Sequence, residues 1–144
     1  MPNNEHSEKN IVDALLGAAA FRTEQKLCEI KIVRDDKTLF TFKIHGLTED
    51  EFTKCRRQNT KNRGRRDEET NWTRYAAQVI YEATVADDKQ RIWQNHEVWD
   101  ALNVASGVDV VNAVLTPAEK TKILEAVENI SGFDDNLDGL IKNL

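Results

Sequence analysis

The stretch Cys28-Glu-Ile-Lys-Ile-Val33, followed by Asp35-Asp36-Lys37 and Leu39-Phe-Thr-Phe-Lys-Ile44, decides the fold. Apolar and polar side chains alternate in the first and third segments, which is the pattern of a β-strand with one buried face. The polar middle segment predicts a turn. Because a lone hairpin is barely stable in water, its apolar face has to pack against other elements. The sequence therefore predicts an antiparallel hairpin that packs on helices.

Helical signals lie before this hairpin. Residues 10–21 place Ile11, Ala14, Leu15 and Ala18 on one stripe of a helix. A helix this short is marginal alone, so we expect it to dock on something. Residues 1–9 are polar and are expected to form a frayed N-terminus.

Stronger helical signals follow the hairpin. Thr48 with Glu51, and Thr116 with Glu119, each have the spacing of a capping box at a helix start. Between them, apolar side chains recur at helical spacing and predict a core helix: Trp72, Tyr75, Ala76, Val79 and Ile80. The predicted fold is α+β, a mostly helical single domain over residues 1–144 with an N-terminal antiparallel β-hairpin and about five helices.

Composition describes an ordinary globular chain. It has 144 residues, 40% hydrophobic and 31% charged, which fits one domain with a real core. It has no run of about 20 apolar residues for a membrane span and no basic start of an export signal. Two cysteines cannot make a disulfide framework, which fits a reducing compartment. We therefore expect a cytoplasmic protein.

One segment is strongly basic although the chain carries a net charge of -5. Residues 54–66 contain seven basic residues and no acidic one, and residues 57–67 are expected to form a flexible exposed loop. Three roles stay open: a solvated loop, electrostatic docking on an acidic protein, or contact with phosphates. The candidates for such docking are Arg56, Arg57, Lys61, Arg63, Arg65 and Arg66.

No motif for catalysis or metal binding stands out. Cys28, His45 and Cys55 lack the spacing of a zinc site, and Cys28 lies on the apolar face of the first strand. The serines lack a nucleophile motif, and both phosphate-loop patterns are missing. We therefore predict no catalytic residue, no metal and no cofactor, and expect a protein that binds another macromolecule.

Tryptophan offers a further hint of an interface, because it is enriched at binding hot spots. Trp72 lies at helical spacing from Tyr75 and is expected in the core. Trp93 and Trp99 flank a polar segment, so partial exposure is expected. For Trp93, interface and core both stay open.

Several segments, in order, resemble the small tail assembly chaperones of long-tailed phages and defective prophages of Gram-positive bacteria. The resemblance covers about residues 10 to 134 and rests on Asn10-Ile-Val-Asp-Ala-Leu-Leu16, Leu47-Thr-Glu-Asp-Glu-Phe52, Val79-Ile-Tyr-Glu-Ala-Thr84, Val111-Asn-Ala-Val-Leu-Thr-Pro-Ala-Glu119 and Ile130-Ser-Gly-Phe-Asp134. The family often has Pro-Gly-Glu where this chain has Pro117-Ala118-Glu119. No role for the basic segment carries over.

The resemblance implies a non-enzymatic chaperone that binds the tape-measure protein and keeps it soluble while the tail is assembled. It would act in the cytoplasm of the bacterial host, be left out of the mature virion, and need no membrane; self-association is possible. Candidate partner-binding residues are Ile11, Leu15, Trp93, Trp99, Leu137, Leu140 and Ile141. The alternative is a small nucleic-acid-binding regulator that uses residues 54–66, although nucleic acid is the less favoured partner.

Overall fold

The computed structural model describes residues 3–23 and 26–132, of which 3–9 and 21–23 are described by their backbone alone. In chain order the elements are α1 (Asn3–Thr23), β1 (Leu27–Arg34), β2 (Lys37–His45), α2 (Glu49–Gln58), β3 (Thr60–Lys61), β4 (Glu69–Thr70), α3 (Trp72–Ala83), α4 (Ala86–Asp88) running into a π-helical turn (Lys89–Trp93), α5 (His96–Leu102), α6 (Gly107–Val114) and α7 (Pro117–Ile130). The predicted α+β fold, mostly helical with an antiparallel hairpin near the N-terminus, is confirmed.

The hairpin forms where the alternation predicts it. β1 and β2 pair antiparallel, with Leu27 opposite His45 and Ile30 opposite Phe42. Asp35 and Asp36 make the turn at positive φ, 52° and 61°, as a tight hairpin turn requires. One face of the sheet is buried and the other faces water, so the hairpin covers one side of the core.

The core lies where this buried face meets α3, α6 and α7. Its largest side chains are fully buried: Trp93, Phe42, Ile44, Ile80, Val79, Val110, Val111 and Val127. Trp93 packs edge-on against Phe42, with ring centroids 5.3 Å apart, and its Nε1 donates a hydrogen bond to the Thr84 hydroxyl at 2.9 Å. Trp93 therefore belongs to the core. Of its two open alternatives the interface is excluded, because none of its surface is exposed.

Both predicted capping boxes are present, at Thr48 with Glu51 and at Thr116 with Glu119. The carboxylate of Glu119 has a second role, since it accepts two hydrogen bonds from Arg34, at 2.7 and 3.1 Å. The cap of α7 thereby also ties that helix to the end of β1.

Two segments are more regular than predicted. The first helix begins at Asn3, inside residues 1–9, which were expected to fray. The basic segment is a loop only in part: α2 extends through Gln58, β3 pairs antiparallel with β4, and residues 62–68 between these strands form turns. A two-residue ladder is too short to produce an alternating pattern in the sequence, so only backbone pairing reveals it.

Candidate partner-binding surfaces

Four exposed apolar residues of the described chain lie close together on α1. Ile11, Val12, Leu15 and Leu16, here called the α1 apolar surface, expose 55%, 50%, 62% and 64% of their area. Asp13 is the only charged residue from position 10 to position 20. A helix that is apolar almost all round is normally buried, and an exposed apolar patch marks an interaction site. The predicted docking of this helix is not met within the described residues, where positions 10–20 are all exposed.

The other apolar candidates are differently placed. Leu137, Leu140 and Ile141 lie outside the described residues. Trp99 is half-buried: its Nε1 donates a hydrogen bond to the Trp93 carbonyl at 2.7 Å, and the His96 ring stacks on it with centroids 4.5 Å apart. Sequence reasoning therefore located exposed apolar residues at Ile11 and Leu15, and a partly exposed ring at Trp99.

The base of the hairpin forms a corner where distant parts of the chain meet. The backbone N–H of Leu47 donates a hydrogen bond to the Ser131 hydroxyl at 2.8 Å. A Cβ at Gly46 would lie 3.0 Å from the Ile130 carbonyl oxygen, so this close approach favours glycine. The chain thus enters β1 at Leu27, opposite His45, beside the end of α7.

The basic candidates are gathered on the end of α2 and the β3–β4 hairpin, here called the basic surface. Asn59 links them: its side-chain amide donates to the Cys55 carbonyl at 2.7 Å, and its own carbonyl accepts from Asn71 N–H at 2.8 Å. All seven basic side chains are exposed: Lys54, Arg56, Arg57, Lys61, Arg63, Arg65 and Arg66.

Most of this charge is not neutralised locally. Lys61 pairs with Glu69 at 3.9 Å and Arg65 with Asp67 at 3.8 Å, and pairs this exposed contribute little. Within the described residues no ion pair is made by Lys54, Arg56, Arg57, Arg63 or Arg66. The basic surface therefore carries positive charge available to an acidic partner.

Trp72, predicted to be a core residue, is 61% exposed, and that prediction is wrong. It is the first residue of α3, directly after the capping residue Asn71, and none of the elements among the described residues buries it. Its ring lies edge-on to Tyr75, with centroids 5.5 Å apart, and lines an open groove together with Lys61. The missed signal was its position at the helix start, since helical spacing alone placed it on the buried stripe.

The described residues offer little for catalysis. Cys55 is buried, and burial, with smaller effects of Glu82 and Glu51, raises the pKa of its thiol to about 12. Such a thiol stays protonated and is a poor nucleophile. No group of three or more His, Cys, Asp or Glu side chains suited to a metal ion occurs in the described part of the chain. Nor does any helix described here have the length and apolar character needed to span a membrane.

Among solved structures, the fold is similar to the crystal structure of the protein YqbN. The two share 21% sequence identity with a TM-score of 0.52 over 77% of this chain and 88% of that chain, a likeness that shows the fold alone. No curated protein sequence matches significantly.

The sequence model of one family matches nearly the whole chain. It describes the phage XkdN-like tail assembly chaperone protein, and it covers residues 12–144. This confirms the resemblance seen in the sequence, supports a role in phage tail assembly, and implies a non-enzymatic protein. The chain belongs to the XkdN-like family of phage tail assembly chaperones.

Proposed function

We propose that this chain binds the tape-measure protein of the phage tail and keeps it soluble during tail assembly, without catalysing a reaction. The observation that carries the proposal is the α1 apolar surface, which is exposed although most of its residues would normally be buried. A tape measure is a long chain with amphipathic helical stretches, which self-associate unless they are covered. A helix of this kind can lie against them in the manner of a helix in a groove.

The energy available from this surface is consistent with reversible binding. Burying a large aliphatic side chain contributes about 1.5–3 kcal/mol when it goes from full exposure to full burial. The four side chains are half to two-thirds exposed, so they offer on the order of 5 kcal/mol before the entropy of association is subtracted. A chaperone that must later release its partner needs such a modest interaction.

The basic surface has a supporting role in this proposal. Its exposed arginines steer acidic stretches of the partner toward the chaperone and raise the association rate more than the affinity. Trp99 and the apolar residues 137, 140, 141 add contacts beyond Ile11 and Leu15. The protein acts in the host cytoplasm and is absent from the mature virion.

The test is co-expression of this chain with the tape-measure protein from the same genome, followed by affinity capture and comparison of solubility. We expect soluble tape measure captured with the chain and aggregated tape measure without it. The variant Leu15→Ser with Leu16→Ser should lose capture, while the control Leu102→Ser, which changes another exposed leucine, should keep it. No capture by the unmodified chain would contradict the proposal.

One observation favours a second candidate, a nucleic-acid-binding regulator. Trp72 supplies, beside Lys61, the exposed ring on which a base could stack. Binding of this kind weakens steeply with salt and disappears when the five unpaired basic residues are replaced by alanine. Salt-insensitive binding, or none, would exclude it.

A further inference from the structure

We propose that β1 pairs antiparallel with β1 of a second copy of this chain, so that two hairpins join into one four-stranded sheet. Three features support this pairing: the outer edge of β1, a groove along that edge, and the order of side chains in Leu27–Arg34. The pairing does not depend on the proposed function.

The two edges of the hairpin differ in how they are covered. Along the outer edge of β2, the Lys43 carbonyl accepts a hydrogen bond from the Val85 N–H at 3.0 Å, and the Lys43 N–H donates to the Asp88 carboxylate at 2.7 Å. Ile44 also forms a β-bridge with Thr84 there. Within the described residues, no backbone N–H of β1 donates a hydrogen bond outside its ladder with β2. A strand edge of this kind is a template for pairing with another strand.

The backbone of β1 presents hydrogen-bonding groups at this edge. Glu29 lies opposite Lys43. The N–H and C=O of Lys43 point away from β1, since they bond to Asp88 and Val85. In an antiparallel ladder, two opposite residues direct these groups either both toward each other or both away. Glu29, and Lys31 two residues further on, therefore direct their N–H and C=O groups to the outer edge of β1.

A groove of about 320 Å³ runs along the same edge. It is lined on one side by five consecutive residues of β1, 29–33, and on the other side by Glu119, Lys122 and Ile123 of α7. Successive residues of a strand point to opposite faces of the sheet, so a groove that touches all five follows the edge and not one face. The groove thus lies where an added strand would run.

The side chains of β1 complement a second copy in one antiparallel register. With Ile30 opposite Ile30 of the second copy, Glu29 faces Lys31 of the second copy. In the same register Leu27 faces Val33 of the second copy. Leu27 and Val33 are 57% and 50% exposed, and within the described residues neither charged side chain of β1's exposed face makes an ion pair.

This register is selected by charge. Opposite charges and aliphatic pairs across two strands stabilise a sheet, whereas like charges directly opposite destabilise it. A shift of two residues in one direction would place Glu29 opposite Glu29 of the second copy, and a shift in the other direction would do the same for Lys31. A shift of one residue would turn the buried face of one strand toward water.

The pairing closes on itself, which favours a dimer over a longer assembly. Each contact occurs twice about a two-fold axis, as in other isologous interfaces, and both β1 edges are used. The outer edge of β2 is already covered through Lys43 and Ile44, so the sheet ends after four strands.

The test exchanges the two charges in the full chain and measures self-association by sedimentation velocity. Glu29→Lys and Lys31→Glu each place like charges opposite one another, so each should raise the dimer dissociation constant at least about tenfold. The double variant, and an equal mixture of the two single variants, restore opposite charges and should recover dimerisation. The matched control is Lys43→Glu, which puts like charges opposite each other inside the hairpin, beside Glu29, and leaves the outer edge of β1 unchanged.

Hydrogen exchange gives a second readout that a general loss of stability would not imitate. As the protein concentration rises, the amides of Glu29 and Lys31 should become protected, whereas the amide of Ile30, which belongs to the ladder with β2, should be protected throughout. A chain that stays monomeric as its concentration is raised would overturn the proposal. So would a dimer that ignores the single charge changes, or one that Leu15→Ser with Leu16→Ser abolishes, since the α1 apolar surface would then be the interface.

Discussion

α1 and α3 are both apolar helices, yet the chain places them in opposite surroundings. α3 is enclosed by the hairpin, α2, α6 and α7 and buries five residues: Ala76, Ala77, Val79, Ile80 and Ala83. On α1, every residue from position 10 to position 20 is exposed. Apolar content therefore does not decide burial; the neighbouring elements do. The body of the protein, residues 26–132, folds around α3 and leaves positions 10–20 of α1 exposed.

The contrast between α1 and α3 would be contradicted if the two helices contributed equally to stability. Ile80→Ala should lower the free energy of unfolding by about 3–4 kcal/mol, because Ile80 is fully buried and its loss leaves a cavity. Leu15→Ala should lower it by less than about 1 kcal/mol, because Leu15 lies outside the core. Denaturant unfolding measures both. A loss at Leu15 as large as that at Ile80 would show that α1 belongs to the core.

Replacing glycine by alanine should have opposite effects on stability at two positions, one in α6 and one in α1. A Cβ at Gly107 would collide with the Tyr81 ring, so Gly107→Ala should cost about 2 kcal/mol. A Cβ at Gly17 would meet nothing within 4 Å, so Gly17→Ala should stabilise α1 by about 0.5–1 kcal/mol through helix propensity. Thermal unfolding and far-ultraviolet circular dichroism measure the two effects. A destabilising Gly17→Ala would mean that α1 is packed at that position.

The polar tie between the hairpin and α7 should make the stability of the body depend on pH. The hydrogen bonds that Arg34 donates to the Glu119 carboxylate are the main cause that lowers the pKa of Glu119 to about 2, from an ordinary 4.5. A carboxylate with a lowered folded pKa contributes stability that is fully present above pH 4.5 and is lost as the pH falls toward 2.

Glu119→Gln should therefore cost about 1–2 kcal/mol at neutral pH and remove this part of the acid dependence. The pair is partly exposed, which keeps the effect small. Unfolding followed between pH 2 and 7 measures it, with Glu125→Gln as an exposed control on the same helix. An unchanged acid slope in Glu119→Gln would contradict the assignment.

The smallest expected effect is a difference in reactivity between two cysteine thiols, one at the edge of the hairpin and one in the core. This difference can be measured without changing stability. Cys28 is half-buried and Cys55 is buried with a thiol pKa raised to about 12. A thiol reagent at pH 8 should label Cys28 in the native protein and reach Cys55 only after unfolding. Mass spectrometry of labelled peptides measures this. Rapid native labelling of Cys55 would show that the body opens around α2.

Local signals explain what the sequence predicted. The alternation in the hairpin, its Asp35-Asp36 turn and the capping boxes at Thr48 and Thr116 each depend on neighbouring residues, so the sequence displays them directly. Trp93 differs, because its burial comes from Phe42 and Thr84, which lie far from it in sequence or in another element. Trp72 fits a buried stripe by spacing, yet it lies exposed at the first residue of α3.

The candidate surfaces also combine features that neighbouring residues display with features that depend on distant contacts. The apolar residues of α1 and the cluster of basic residues are visible in the sequence by composition. Their exposure is a property of the whole fold, and so is the proximity of Trp72 to Lys61.

The corner at the hairpin base has a consequence for the order in which the elements can follow one another along the chain. Because β1 begins where α7 ends, a short linker between them would close residues 26–132 into a ring without moving an element of the core. New ends could then be opened at the exposed turn around Gly64, where positive φ and open space tolerate a break. Such a circular permutant should keep the core contacts while releasing α1 as a separate module that can be exchanged freely.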